Sequence, residues 1–444
     1  MPAHTVITRV IRAAGGVFAP GHLGELTRIV PFEMVDAVLA DCDKTERRRR
    51  LIPARVVVYL LLAAGLFAAS GWPGVWRKLT GGLGTRAEPT ASALYYARKR
   101  LGPGPLKALF DLLCEPTSAA ARWRGLLVCA IDGTLLDVPA SAANLAVHRS
   151  SGHTQYRGSG YPQIRLVALI ATGSRALLGA VFGPIDQGET TMAARLGAAM
   201  GPGRIILADR LFDAADLLEA IRDTGADLLV RVNTQTRPRH LARLADSSRL
   251  VQRGNLRLRL IEATITIATS EGTRTGHYRL QTSLLDVHRY PATEVVALYH
   301  QRWEIETVYC ELKSALLRRR VLRASDPAGL DQEIWALLVL YQAIRIAIAD
   351  ALIGTGHTGV QASFTIAVES ARDQITRAQN ITDAATIDLK GHIGQQVLAH
   401  LLPERRLRTA PRVVKRAISK HRAKGPVNRR TYKATLDINV IASP

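Results

Sequence analysis

At 444 residues the chain is about three times the ~150 residues typical of one domain, which excludes a small stapled module. Apolar residues make up 47% and charged residues 22%, enough to close a sizeable core and too apolar for general disorder. Lys and Arg number 59 against 37 Asp and Glu, a net charge of +22, and such a field draws polyanions, so nucleic acid or an anionic membrane is the leading partner.

Residues 31–39 place Pro and Glu in a first turn and apolar side chains at Phe32, Val35 and Leu39, which predicts an amphipathic helix. After the basic run TERRRR at 45–50, residues 56–72 (VVVYLLLAAGLFAASGW) are almost uncharged. That length is at the lower limit of ~17 residues for a membrane span. The run stops at Gly71 and Pro73, so a buried helix of an N-terminal bundle is predicted instead. Thr90 can cap a helix reading ASALYYARKRLG. That helix groups Arg98, Lys99 and Arg100 as a basic face that is either solvated or laid against DNA. The helical N-terminal domain, a candidate DNA-binding domain, is predicted over 1–118.

From residue 123 the texture changes to β-branched runs broken by glycine: 126–132, 163–172, 176–183, 204–210 and 226–233. Helical stretches at 189–200 and 213–222 complete a β-β-β-α-β-α-β order, which makes an α/β mixed sheet with helices on its faces. Residues 247–285 alternate and turn at Gly254, Gly272 and Gly276, the pattern of antiparallel hairpins. Helix returns from 293 to 313 and again at 334–352. The predicted organisation is therefore a core in two parts, 119–235 and 292–356, with a β-strand insertion at 236–291. A C-terminal helical segment and basic tail occupy 357–444. Within that tail, residues 404–433 hold twelve Lys and Arg and one acid, half of the net charge.

Cys42, Cys114, Cys129 and Cys310 make no CxxC or CxxH spacing, which argues against a zinc module or disulfide framework and fits a reducing cytosol. No secretory cleavage pattern is present at the start of the chain, and no GxxxxGK[ST] loop supports ATP hydrolysis. His148 and His153 lack a third nearby ligand, and Glu189 reads as a helix-dipole partner.

The informative carboxylates are Asp132 and Asp209, each set directly behind an apolar run. An acid there is costly to desolvate unless paired or bound to a metal. Tyr299, Arg302, Glu306 and Lys313 stand at offsets 0, 3, 7 and 14. At about 100° per residue they share one narrow helical face, with Trp303, Ile305 and Leu312 as its apolar neighbour. A carboxylate among cations suits a metal site beside a phosphate track.

AIDGT around Asp132, LADRLFD around Asp209 and a complete Y-(2)-R-(3)-E-(6)-K signature are followed by RVLRASDP and QEIWALLVLYQAIR. On these motifs nearly the whole chain resembles the DDE transposases of bacterial insertion sequences, in the branch named for insertion sequence four. The resemblance implies an RNase H-like mixed-sheet catalytic core, with the antiparallel β subdomain inserted between the second Asp and the Glu. It implies cut-and-paste transposition with two Mg2+ (or Mn2+) ions, Asp132 bridging both and Asp209 and Glu306 each completing one. Such ions activate water or a 3′-OH and stabilise the leaving oxygen.

Tyr299, Arg302 and Lys313 would hold the phosphates flanking the transposon end. The freed 3′-OH would form a hairpin that is reopened and joined to target DNA. A homodimer in a synaptic complex on terminal inverted repeats and target DNA is implied, in the bacterial cytoplasm at the nucleoid and with no membrane. The chain departs from relatives that use an insertion Trp on a flipped base, because its insertion has none; Tyr278 or Tyr290 are the aromatic substitutes. The rival from another class is a non-catalytic DNA-binding protein or repressor derived from a transposase, which would have no need of all three acids.

Overall fold

The computed structural model describes residues 23–46, 48, 50–80, 88–114, 122–150, 160–269, 272–378, 391–403 and 434–441. The basic stretch at 404–433 and His153 lie outside them. In chain order a 3-10 turn (Gly24–Arg28) leads to α1 (Phe32–Asp41), α2 (Ala54–Leu66), α3 (Trp72–Thr80), α4 (Ala91–Leu101) and α5 (Gly104–Leu113). Next come β1 (Arg122–Trp123), β2 (Leu126–Asp137), α6 (Ala142–Leu145), β3 (Gln163–Ala171), β4 (Leu177–Pro184) and α7 (Glu189–Ala194). They are followed by β5 (Arg204–Ala208), α8 (Ala215–Asp223), β6 (Asp227–Arg231), β7 (Arg239–Arg243), β8 (Arg249–Arg253), β9 (Leu256–Thr269) and β10 (Gly272–Thr282). The last elements are α9 (Ala292–Tyr299), α10 (Glu304–Cys310), α11 (Pro327–Leu352), α12 (Phe364–Ala378), α13 (His392–Ala399) and β11 (Ala434–Val440).

Two compact units result: Met1–Ala199 with Trp303–Leu402, and Met200–Arg302 with Pro403–Pro444. Both are mixed α/β, as the hydrophobic pattern demands. The first holds the antiparallel β2-β3-β4 meander and the second the parallel β5-α8-β6 crossover, which are the strand signatures of an RNase H-like core.

In the first unit β3 lies between β2 and β4, and its residues Leu166 to Ala171 are fully buried. The apolar run near residue 60 is α2, an interior helix as predicted. Gly65 of α2 meets the Leu340 side chain of α11, and the Arg323 guanidinium donates to the carbonyls of Ala64 and Phe67 at the end of α2. α11 is long and apolar enough to cross a membrane by length and composition alone, but it is mostly buried in this unit as a core helix. Its start is capped by Asp326, whose carboxylate accepts from Gly329 N at 2.9 Å.

Helix α13 meets α11 so closely that a Cβ on Gly394 would sit 2.5 Å from Ala351 Cβ. Gly394→Ala should therefore lower the melting temperature, because crowding of about 1–3 kcal/mol outweighs the ~1 kcal/mol that Ala gains in helix propensity. A higher melting temperature would contradict this close approach.

In the second unit β6 pairs antiparallel with β10, and β10 with β9. The first half of β9 pairs with β8 and the second half with β11. The predicted turn at Gly254 is present with φ of 57°. Gly276 is no turn: it sits inside β10 opposite Ile265. β11 corrects the reading of the C-terminal segment as helix and basic tail, since ATLDINV alternates and adds an edge to β9. Arg259 is fully buried in this unit, ion-paired to Asp246 and donating to Tyr290 O.

Candidate active site

Asp132 lies within β2, which continues through Asp137 rather than ending at the acid. Residues Leu127 to Ile131 are buried and Asp132 to Leu135 half-buried, so the carboxylate marks where the strand emerges from the core. Its Oδ1 accepts from Gly133 N at 2.9 Å. The backbone is stitched to a helix. Tyr309 of α10 donates its hydroxyl to the Asp132 carbonyl at 2.6 Å and accepts from Ala168 N at 3.1 Å. Ala168 is the β3 residue directly opposite Asp132. Burial, with the Asp132 and Glu189 charges adding to it, pushes the Tyr309 phenol well above its ordinary value, so it stays a donor.

Glu306 lies in the first turn of α10, three residues before Tyr309, and is half-buried. Lys313 falls in a π-helical turn (Glu311–Leu316) that follows α10. Burial lowers its ammonium pKa, and Asp137 opposes that shift. Glu189 begins α7, as its dipole reading required, but does more: its carboxylate packs on Gly133, where a Cβ would stand 2.7 Å from Glu189 Cδ, and pairs with Arg165 at 3.5 Å.

In the second unit Asp209 directly follows β5, as predicted, and its side chain accepts from Leu211 N at 2.8 Å to cap a short 3-10 turn (Arg210–Phe212). Tyr299 is buried, and its hydroxyl donates to the Ala208 carbonyl at 3.1 Å. Burial raises its phenol pKa first of all; Arg302 lowers it and Asp209 raises it, so all three groups share one neighbourhood. Tyr278 packs edge-on against Tyr299 at 6.4 Å between centroids, with the Arg231 guanidinium 4.6 Å from the Tyr278 ring. Tyr290 is buried and has no face to offer a base.

Three sequence readings change. The stretch from 293 to 313 is not one α-helix: a 3-10 turn (His300–Trp303) separates α9 from α10, and the π turn widens the end. The single face computed at 100° per residue therefore does not hold, because each change of helix type resets the angular phase. Trp303 is exposed, while Ile305 and Leu312 are buried as expected. Arg98 is buried with its guanidinium 3.8 Å from the Trp72 ring, which withdraws it from the exposed basic face; Lys99 and Arg100 stay exposed.

Tyr309, Glu189 and Asp213 were not singled out from sequence in these roles. Tyr309 had one usable signal, its position three residues after Glu306 and so one turn along the same helix. In the sequence pattern Asp213 is a helix start. Its side chain is fully buried and accepts from Asn233 N, Thr236 Oγ1 and Gln281 Nε2 at 2.8, 2.8 and 2.5 Å.

Asp132, Asp209 and Glu306 offer only hard carboxylate oxygens, so the donor chemistry fits Mg2+ or Mn2+. Among the described residues, no group of three or more His, Cys, Asp or Glu is gathered so as to hold an ion.

Two family models match the chain: the insertion element 4 transposase N-terminal model over residues 20–111 and the transposase DDE domain model over residues 123–342. Transposase InsG for insertion sequence element IS4 of Escherichia coli (strain K12) is 26% identical over 399 residues, covering 86% of this chain and 90% of that protein. Putative transposase InsZ of the same organism is 34% identical over 140 residues, covering 31% of this chain and 47% of that protein. Among solved structures, a piggyBac transposase synaptic complex with hairpin DNA matches with a TM-score of 0.42 and 12% identity, covering 84% of this chain and 83% of that one.

Proposed function

Because the chain belongs to the insertion-element-4 family of DDE transposases, enzymes of DNA cleavage and strand transfer, we propose that it cuts the ends of its own element and joins them to target DNA. Asp132, Asp209 and Glu306 are the acids we assign to two Mg2+ or Mn2+ ions. The reading is carried by the Tyr309 hydrogen bond, which secures the helix bearing Glu306 on the strand bearing Asp132. When bound, the ions supply an activated water or 3′-OH and charge stabilisation at the leaving oxygen.

The remaining assignments extend the motif reading. Lys313 and Arg302 steady phosphate oxygens beside the acids. Tyr299 has its hydroxyl committed to Ala208, so it positions the end of β5 at Asp209 rather than serving as a phosphate donor. Lys99 and Arg100 supply backbone contacts to the terminal inverted repeats, and Arg98 supports them through Trp72. Second-strand cleavage is read as passing through a hairpin, with half-buried Tyr278 the less buried of the two insertion tyrosines and the one assigned to a displaced base. A homodimer would pair the two ends, acting in the bacterial cytoplasm.

Purified protein incubated with labelled element ends and Mg2+ tests this directly, the expected products being a nick, a hairpin and a strand-transfer species that EDTA abolishes. Retarded end complexes with no cut product in Mg2+ or Mn2+ would instead identify a catalytically silent repressor. Tyr309→Phe should cut ~10–100-fold more slowly, the range for groups that orient a site from behind it. End affinity should be unchanged, since no phosphate contact is lost. Wild-type cleavage in that variant would show that the hydroxyl orients nothing of consequence.

A further inference from the structure

The first unit buries four charges in one connected network beside α10. Arg175, in the turn between β3 and β4, donates from Nε to Glu304 at 2.7 Å and from Nη1 to Glu311 at 3.2 Å. Glu311 also pairs with Arg345 and accepts from the Tyr341 hydroxyl at 2.9 Å. Tyr341 in turn accepts from Arg345 Nε at 3.0 Å, and its hydroxyl oxygen lies 3.2 Å from the Arg175 carbonyl. Both arginine side chains are at most 5% exposed.

A buried network of this kind is weak evidence for stability, because well-packed apolar residues of the same volume often do as well. Its cost is increased by the backbone: Arg175 has φ of 58°, a left-handed conformation uncommon for arginine. What it fixes is geometry. Glu304 stands two residues before Glu306, and Glu311 two residues before Lys313, at the point where α10 widens into the π turn. One guanidinium therefore grips the segment at both ends, setting its rotation and holding the α-to-π change in place.

We propose that Arg175 is a positioning residue for the reaction, holding Glu306 and Lys313 in register by bridging Glu304 and Glu311. This rests on the assignment of Glu306 above. A planar fork can span two carboxylates, whereas a lysine ammonium reaches one well, so Arg175→Lys should restore only part of what Arg175→Met loses.

The test measures single-turnover cleavage and end affinity for Arg175→Met, Arg175→Lys, Glu304→Gln and the Arg175→Met/Glu304→Gln double variant. The controls are Glu306→Gln and Leu109→Ala, a destabilised variant on α5 whose side chain makes none of these ion pairs or hydrogen bonds. The expected result is a ~10–100-fold fall in cleavage rate for Arg175→Met, an intermediate rate for Arg175→Lys, and end affinity within twofold of wild type. In the double variant the two losses should be markedly less than additive, as for residues acting through one contact. Should Arg175→Met fail to fold, Arg175→Lys and Glu304→Gln carry the same comparison. Loss only in proportion to folded protein, as in Leu109→Ala, or additive losses in the double variant, would overturn the proposal. Cleavage by Glu306→Gln at wild-type rate would overturn the catalytic assignment instead.

Discussion

Asp132→Asn, Asp209→Asn and Glu306→Gln are each expected to slow strand cleavage by ~10^3-fold or more while leaving binding of element ends nearly intact. The size follows from the several kcal/mol that a divalent ion contributes to developing charge, each 1.4 kcal/mol or so being a factor of ten in rate. The fold should tolerate the changes, because both Asn amides keep the local hydrogen bond and Gln at half-buried 306 keeps the shape of the side chain. An Asn at 132 still accepts from Gly133 N, and an Asn at 209 still caps the 3-10 turn through Leu211 N. On the proposed reading end affinity would rest on Lys and Arg at phosphates, and none is removed. The measurements are products from labelled ends, a gel-shift titration at fixed salt, and thermal melting. Full cleavage by any one of the three variants removes that acid from the site.

Much of the framework was legible because burial writes itself into the sequence as periodicity. The runs that became β3, β5 and β6 are continuous and apolar because both of their faces are covered, and α11 is apolar almost all round because it is surrounded. The acids stood out against those runs. The departures from a regular ladder were not legible. The π turn at Glu311 looks like helix in pattern, and the partners that hold Glu311 there, Arg175, Arg345 and Tyr341, are scattered over some 170 positions of chain. Arg98 read as surface charge because the Trp72 ring that covers it is remote in sequence. β11 could have been found: Leu436, Ile438 and Val440 alternate, but the preceding basic run dominated the reading.

Asp213→Ala is expected to destabilise the second unit by about 3–5 kcal/mol, the range for removing one partner of a buried charged network. The carboxylate gathers donors from three directions: the backbone after β6 at Asn233, the Thr236 hydroxyl, and Gln281 of β10. Arg253 adds a longer contact at 3.5 Å. Truncation strands these donors where water does not replace it, since Gln281 is fully buried. Asp213→Asn should cost far less for a specific reason. Among the described residues Gln281 Oε1 has no hydrogen-bond partner, so its amide can flip and accept from the new Asn amide while Asn233 and Thr236 keep their oxygen. The difference reaches function because Asp213 sits four residues after Asp209, at the far end of the 3-10 turn that Asp209 caps. Denaturant melts of the two variants, with cleavage measured at a temperature where both stay folded, separate the effects. The Ala variant should also cut more slowly, through a displaced Asp209, and the Asn variant should match wild type. Equal stability losses in the two variants would show that the carboxylate is held by packing and not by its donors.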